Sequence, residues 1–411
     1  MTERLYYHDS FLYEFDAEVI EIRAANGSES RPALVLDRTA FYPTSGGQVF
    51  DTGWLSPEGA PQAKIRIEEV AEADDGAILH FTNDAALPRK GSRVHGAIDA
   101  DRRRDHMQQH SGQHVLSAAF VRLFEMPTVS FHMGADYCSI DLDGKSLTEK
   151  QVEAAEALAN DVATEDRRVE IRFVTPEEAR SLGLRKLPAT QHEKLRLIDI
   201  QEFDLTACGG THVASTGQIG SILLRKTEKV RQGWRVEFVC GKRAVATARR
   251  DHATLTEAAG LSSGHIWEVS QQVRKLLEEA RNSRKSGERL LEEIAELHAA
   301  QLLAATPEMQ SRKIIVRAYS DRDLAFIKLL AQRLTRQSAA AVAFLATTSA
   351  PVTLVFAQSA GQPFDMGGLM KEALAQLGGR GGGSKDMAQG GPTETARIEE
   401  VLAQLAAKLQ S

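Results

Sequence analysis

Four side chains in this sequence could grip one metal ion. His110 and His114 stand four residues apart in DHMQQHSGQHVLSAAF, Asp105 to Phe120, and His106 extends the series. On a helix, neighbours at this spacing lie about 5–6 Å apart, so two imidazoles can share a metal. Far along the chain, Cys208-Gly209-Gly210-Thr211-His212 offers a thiol and another imidazole. Its glycines let Cys208 and His212 turn to one point. Together, HxxxH and CxxxH supply the nitrogen and sulfur donors that zinc prefers. The expected ligands of one Zn2+ per chain are therefore His110, His114, Cys208 and His212. A protease-type HExxH is excluded, because Ser111 stands where glutamate is needed. A zinc finger or ribbon would need more than Cys138, Cys208 and Cys240. Four protein ligands suggest a closed structural site, whereas a catalytic zinc keeps a position open. Spacing leaves this undecided, with Cys208 the candidate for a loose ligand. His106 is left over. A surface position is expected for it, with a place just outside the metal shell as the alternative.

A second cluster is Thr39-Ala-Phe-Tyr-Pro-Thr-Ser-Gly-Gly-Gln48, followed by Asp51 and Gly53. Gly46-Gly47 permits positive φ, which predicts a tight hairpin turn or close approach of another group. Tyr42, Ser45 and Gln48 surround it with polar groups. No Ser-His-Asp or paired-carboxylate constellation is evident.

Elements must bring these clusters together. Residues 1–98 alternate in short runs (Glu14–Ile22, Ala33–Leu36, Ala63–Val70, Ala77–Phe81, Ser92–Ile98) and predict a small β-barrel. A helix over Arg102–Phe124 carries the histidines, with Arg102, Arg103 and Arg104 expected as its solvated start. Capping boxes at Thr148/Gln151 and Thr175/Glu178 open two helices. Strands are expected at Val129–Met133, Cys138–Leu142, Arg168–Val174 and Leu195–Ile200, with a hairpin over Ile219–Glu228 and Gly233–Cys240. This interleaving predicts an α+β metal-binding domain over 99–245. Apolar positions then step by fours and threes from Val269 to Leu297, weakening at Ser283–Gly287. That predicts a coiled-coil-like helical arm over 250–308, or a helix folded back at the weak point. Residues 309–411 read as a small α/β domain. Its Gly378-Gly-Arg-Gly-Gly-Gly383 run, with Arg380 and Lys385 beside it, predicts a phosphate-binding loop or a mobile linker. The fold class is α+β overall.

The 411 residues carry a net charge of −6, so nucleic-acid contact would have to come from local basic patches. Sparse cysteine, no secretory leader and no long apolar run predict a cytoplasmic protein without membrane contact.

Three motifs, Thr39-Ala-Phe-Tyr-Pro to Gly-Gly-Gln48, His110-Ser-Gly-Gln-His114 and Cys208-Gly-Gly-Thr-His212, resemble the editing domain of alanyl-tRNA synthetase and its free-standing AlaX relatives. The glycine-rich tail resembles the DHH-associated C-terminal domain of that synthetase, so the likeness is to the long AlaX form. Ser45 departs from the glycine common in AlaX proteins, and Ser111 from the synthetase's usual threonine. The resemblance implies zinc-assisted deacylation of tRNA(Ala) mischarged with serine or glycine. A synthetase pocket sized for alanine rejects neither strongly, so a second hydrolytic site is needed. It further implies that Thr39 reads the seryl hydroxyl and that Gln48 orients the ester or terminal adenosine. Arg380 and Lys385 become candidates for tRNA contact, and the C-terminal region a candidate for homodimer formation. Two alternatives stand beside it: a tRNA-binding protein with a structural zinc, or editing of another mischarged tRNA such as Ser-tRNA(Thr).

Overall fold

The computed structural model describes residues 2–23, 31–182, 184 and 194–410. Two compact units divide the chain, Met1–Glu257 and Ala258–Ser411. The finer expectation of separate regions at 1–98 and 99–245 falls within the first unit.

Strand alternation builds the first sheet. β1 (Glu14–Arg23) turns Phe15, Ala17 and Val19 inward and Glu14, Asp16 and Glu18 outward. It joins β2 (Ala33–Leu36), β3 (Gly53–Pro57), β4 (Ile65–Ile67), β5 (Glu69–Glu72), β6 (Ile78–Phe81) and β7 (Arg93–Ile98). The seven strands are ordered β4-β3-β7-β1-β2-β6-β5, all antiparallel, over a core of Phe15, Val19, Leu34, Leu36, Phe41, Leu55 and Ile67. The run at 63–70 is two strands, not one. Glu68 alone separates β4 from β5, and these are the two edges of the sheet, so its margins come together there. Glu3–Arg4 pairs in parallel with Arg38–Thr39 and fixes Thr39 beside the N-terminal segment.

The histidine helix α1 (Ala100–Phe124) is buried almost continuously from His106 to Phe120. A helix buried all round is a core element rather than a surface one. Glu125 ends it in the left-handed conformation, ahead of Met126-Pro127. β8 (Thr128–Met133), β9 (Cys138–Leu142), β13 (Ile222–Val230) and β14 (Gly233–Cys240) form a sheet of order β8-β9-β14-β13. α1 packs with this sheet and α2 (Glu149–Thr164) around Met107, Leu116, Phe120, Ile140, Val162 and Phe238. Both capping boxes form, at Thr148/Gln151 and at Thr175/Glu178. The second opens the short helix α3 (Pro176–Ser181), which follows β10 (Val169–Val174). β10, β11 (Leu195–Ile200) and β12 (Asp204–Ala207) make a third sheet, and β12 runs directly into Cys208. α4 (Gly241–Leu261) follows, starting before the helical arm expected from residue 250.

Within the second unit, α5 (Val269–Ala305) runs unbroken through Ser283–Gly287. The folded-back alternative is thereby excluded. β15 (Lys313–Tyr319), α6 (Leu324–Gln337), β16 (Ala341–Thr347), β17 (Leu354–Gln358), α7 (Met366–Leu377), β18 (Arg380–Gly383), β19 (Met387–Gly391) and α8 (Ile398–Lys408) follow. The sheet order is β15-β16-β17-β19-β18, parallel only between β15 and β16, which α6 connects. Helices cover both faces, so β16 is buried at every residue. The last turns of α5 pack with α6 on one side, through Ala299, Leu303, Phe326 and Leu330. On the other, α7 and α8 pack through Met370, Leu377, Val401 and Leu405.

The glycine stretch is neither a loop nor a linker: β18 and β19 form an antiparallel hairpin. At two of the glycines α7 presses on it. A Cβ at Gly381 would meet Leu374 Cδ1 at 2.7 Å, and one at Gly390 would meet Met370 Sδ at 2.9 Å. Arg380 lies on the exposed edge strand and Lys385 in the hairpin turn. Among the described residues no helix is long and apolar enough to cross a membrane.

Candidate metal centre

The four residues expected as ligands converge. His110, His114, Cys208 and His212 each offer a ligand atom, and these atoms lie within 4.8 Å of one another. α1 carries two of them one turn apart, and the loop after β12 brings the others against it. Room for this depends on Gly210, where a Cβ would stand 2.1 Å from His110 Cε1. Cys208 Sγ lies 3.4 Å from both His110 Nε2 and His212 Nε2. A tetrahedral zinc with bonds of about 2.3 Å to sulfur and 2.0–2.1 Å to nitrogen sets such S···N separations near ~3.6 Å. The donor set and these two S···N separations therefore fit zinc. The three histidines are buried, and only Cys208 is partly exposed.

Each imidazole is gripped on its far side. Gln48 Oε1 stands 2.7 Å from His110 Nδ1 and accepts a hydrogen bond from the Thr211 N–H at 3.0 Å. Gln48 Nε2 donates to Thr211 Oγ1 at 2.9 Å. An amide oxygen only accepts, so His110 carries its proton on Nδ1 and leaves Nε2 free to ligate. His212 Nδ1 is 3.1 Å from Ser111 Oγ, which also accepts from the Val213 N–H. His114 Nδ1 is 3.5 Å from Asp204 Oδ2, longer than a good hydrogen bond but within ion-pair reach.

The charges follow. Burial alone would lower His114, but Asp204 and Cys208 outweigh it and carry it up to about 9. Burial pushes His212 down to about 3, despite the opposing pull of Cys208. Burial would raise the Cys208 thiol, yet His110 and His212 beside it hold it well below its ordinary value. A thiolate among imidazoles is the form that binds a metal.

The other expected residues are placed as follows. The hairpin turn at Gly46-Gly47 forms, with φ of +56° and +85° and reciprocal bonds between Ser45 and Gln48. A Cβ at Gly47 would meet the Phe131 carbonyl at 2.5 Å, and Phe131 in turn stacks on His110. The turn therefore delivers Gln48 to the metal-ligand residues. Thr39 is fully buried, its hydroxyl 2.8 Å from His80 Nε2 and accepting from the Phe41 N–H. His80 Nδ1 faces the Leu34 carbonyl at 3.0 Å, so Nε2 is the acceptor and Thr39 donates its proton there. Arg380 and Lys385 belong to the second unit.

Two expectations need correction. His106 is not on the surface: it is 1% exposed, with Nδ1 lacking a partner and 4.0 Å from Asp51 Oδ1. Nor is the arginine run wholly solvated. Arg103 is fully buried in an ion pair with Asp51 and donates to the carbonyls of Ser10 and Ala40. Asp51 also accepts from the Tyr42 N–H, and Ser10 Oγ accepts from the His212 N–H. This one ion pair ties α1, the Gly-Gly turn and the CxxxH loop together. Motif spacing also passed over Asp204 and Arg196. The available signal for Arg196 was a lone cation in the otherwise apolar run Leu195–Ile198. A groove of about 800 Å3 lined by Trp54, Arg93 and His95 crosses the sheet of the first unit and contains none of the metal-ligand residues.

Comparison with known proteins agrees with this arrangement. Family models match at residues 2–102 (tRNA synthetases class II (A)), 195–236 (threonyl and alanyl tRNA synthetase second additional domain) and 311–411 (DHHA1 domain). The alanyl-tRNA editing protein AlaX-L of Pyrococcus horikoshii is 31% identical over 100% of this chain and 99% of its own length. The chain belongs to the AlaX-L family of alanyl-tRNA editing proteins. Alanine–tRNA ligase of Archaeoglobus fulgidus is 32% identical over 98% of the chain, but this covers only 43% of the ligase. The AlaX-L match therefore spans both units. A C-Ala domain of Aquifex aeolicus alanyl-tRNA synthetase matches 26% of the chain at 20% identity with a TM-score of 0.24, too slight a likeness to bear on the fold.

Proposed function

We propose that this AlaX-L family member hydrolyses the aminoacyl ester of tRNA(Ala) mischarged with serine, and of its glycine counterpart. The observation that carries the reading is the convergence of His110, His114, Cys208 and His212 from two distant motifs, all within 4.8 Å. Zinc is the proposed metal; when bound it would supply Lewis acidity at the ester. Gln48 holds His110 in the ligating tautomer, while Ser111 orients His212 and Asp204 orients His114. Gln48 thus acts by positioning a ligand, and its contact with the ester or terminal adenosine is secondary. Partly exposed Cys208 marks the side from which a substrate enters. The ester is already activated, so holding it in place is much of the work.

Thr39 is proposed to recognise the seryl hydroxyl. With its proton given to His80 and one lone pair taken by the Phe41 N–H, a single lone pair remains to accept from a substrate O–H. Alanine would leave that acceptor unpaired and bind less well. The margin-to-margin sheet of the first unit is read as a small barrel, and α5 as a helical arm. That arm exposes Leu276, Leu290, Ile294 and Leu297 in heptad register, which supports self-association there. Arg380 and Lys385 are proposed tRNA contacts.

The test is single-turnover deacylation of Ser-tRNA(Ala) beside Ala-tRNA(Ala), with zinc-loaded and chelator-stripped protein. Fast, zinc-dependent loss of serine with alanine retained is expected. Loss of neither, with zinc bound, would make the metal structural and leave a tRNA-binding protein. Thr39→Val is expected to narrow the serine-to-alanine rate ratio without changing metal content.

A further inference from the structure

Each ligand histidine has a partner behind it; the group behind the cysteine is Arg196. This arginine is the second residue of β11 and is 8% exposed. Its Nη1 donates to the Cys208 carbonyl at 2.6 Å, and its own carbonyl accepts from the Cys208 N–H at 3.2 Å. Residue 208 is therefore held at both backbone groups by residue 196. Nε of the same guanidinium donates to the Tyr7 carbonyl at 2.9 Å, which anchors the pair to the N-terminal segment. The Tyr7 ring lies beside Arg196 at 5.6 Å and beside Arg4 at the same distance.

Its charge is unusual. Among the described residues no carboxylate pairs with Arg196, and Nη2 is buried without a hydrogen-bond partner. Burying a cation unpaired is costly, so such groups sit where an opposite charge compensates them. Cys208 is the acidic group that acts on it most strongly, ahead of Tyr7, Tyr42 and Tyr6.

We propose that Arg196 is the positioning residue of the cysteine arm, holding Cys208 at both of its backbone groups so that Sγ meets the three imidazoles at one point. The inference rests on the metal-site reading above. A lysine cannot reproduce it, because one ammonium lacks the planar fork that spans the Tyr7 and Cys208 carbonyls.

The experiment is titration of the metal-free full chain with Co2+, followed by thiolate-to-cobalt charge-transfer absorption, with affinity from chelator competition. Arg196→Met is expected to lose about 10–100-fold in affinity, the range for partners standing behind metal ligands, and to weaken or shift the thiolate band. Arg196→Lys is expected to keep its fold and charge and still show a shifted band with about tenfold weaker binding. If Arg196→Met does not fold, Arg196→Lys decides. Unchanged band and affinity in a folded variant, while the parent chain binds Co2+ with the band, would overturn the role of Arg196 and leave the metal site standing. A parent chain that binds no Co2+ through sulfur would overturn both.

Discussion

At the scale of single residues, the centre is defined as much by what stands behind the ligands as by the ligands. Gln48 spends its carbonyl on His110 and the Thr211 N–H and its amide on Thr211 Oγ1, so it joins the two ligand motifs directly. Gln48→Ala is expected to lower zinc affinity by about 10–100-fold by chelator competition while leaving the fold intact. His80 makes a different prediction. Burial pushes it down to about 4, so in the fold it stays neutral while the unfolded chain takes up a proton near 6.5. The unfolded state then binds more protons between these values, and stability falls as pH falls. The contribution is intact above about pH 6.5 and lost through about pH 4, on the order of 3 kcal/mol. Melting temperature against pH should show this decline, and His80→Gln should make it shallower, the remainder coming from His106 and His212, which burial also pushes down to about 3.

At the scale of elements, α1 is held to the sheet by charge as well as by packing. Asp51 and Arg103 are both fully buried, and between them they bind the backbone at Ser10, Ala40 and Tyr42. Removing one partner leaves a bare buried charge, which typically costs about 3–5 kcal/mol. Asp51→Asn should therefore lower stability in urea by that order. Replacing both residues with apolar ones leaves no bare charge but deprives the Ser10 and Ala40 carbonyls and the Tyr42 N–H of these partners, so it should still destabilise, with the charge penalty removed. If the ion pair also holds the Gly-Gly turn and the CxxxH loop in place, the single variant will lose metal affinity along with stability. The double variant will separate the two effects.

At the scale of the whole molecule, the metal-ligand residues lie in Met1–Glu257 and the glycine hairpin in Ala258–Ser411. Ending the chain at Glu257 is expected to preserve zinc binding and to weaken tRNA affinity. It should also flatten the dependence of that affinity on salt, since Lys and Arg that release counterions from phosphates are lost. Filter binding across a salt series checks both; unchanged affinity would move tRNA recognition to the first unit. Much of this layout was legible beforehand. His110, His114, Cys208 and His212 could be named because four-residue spacing and loop glycines constrain side chains locally, whatever the fold. Both capping boxes and the ends of α2 were legible for the same reason, since the signals act within one turn. The buried Arg103, the inward His106, and the roles of Asp204, Ser111 and Arg196 were not. A charged or polar residue declares its environment only when distant segments close around it, and here those segments lie up to 189 residues apart, as from Tyr7 to Arg196. The glycine run carried the same ambiguity: glycine permits loop, linker and close packing alike, and only the helix laid across it made it a hairpin.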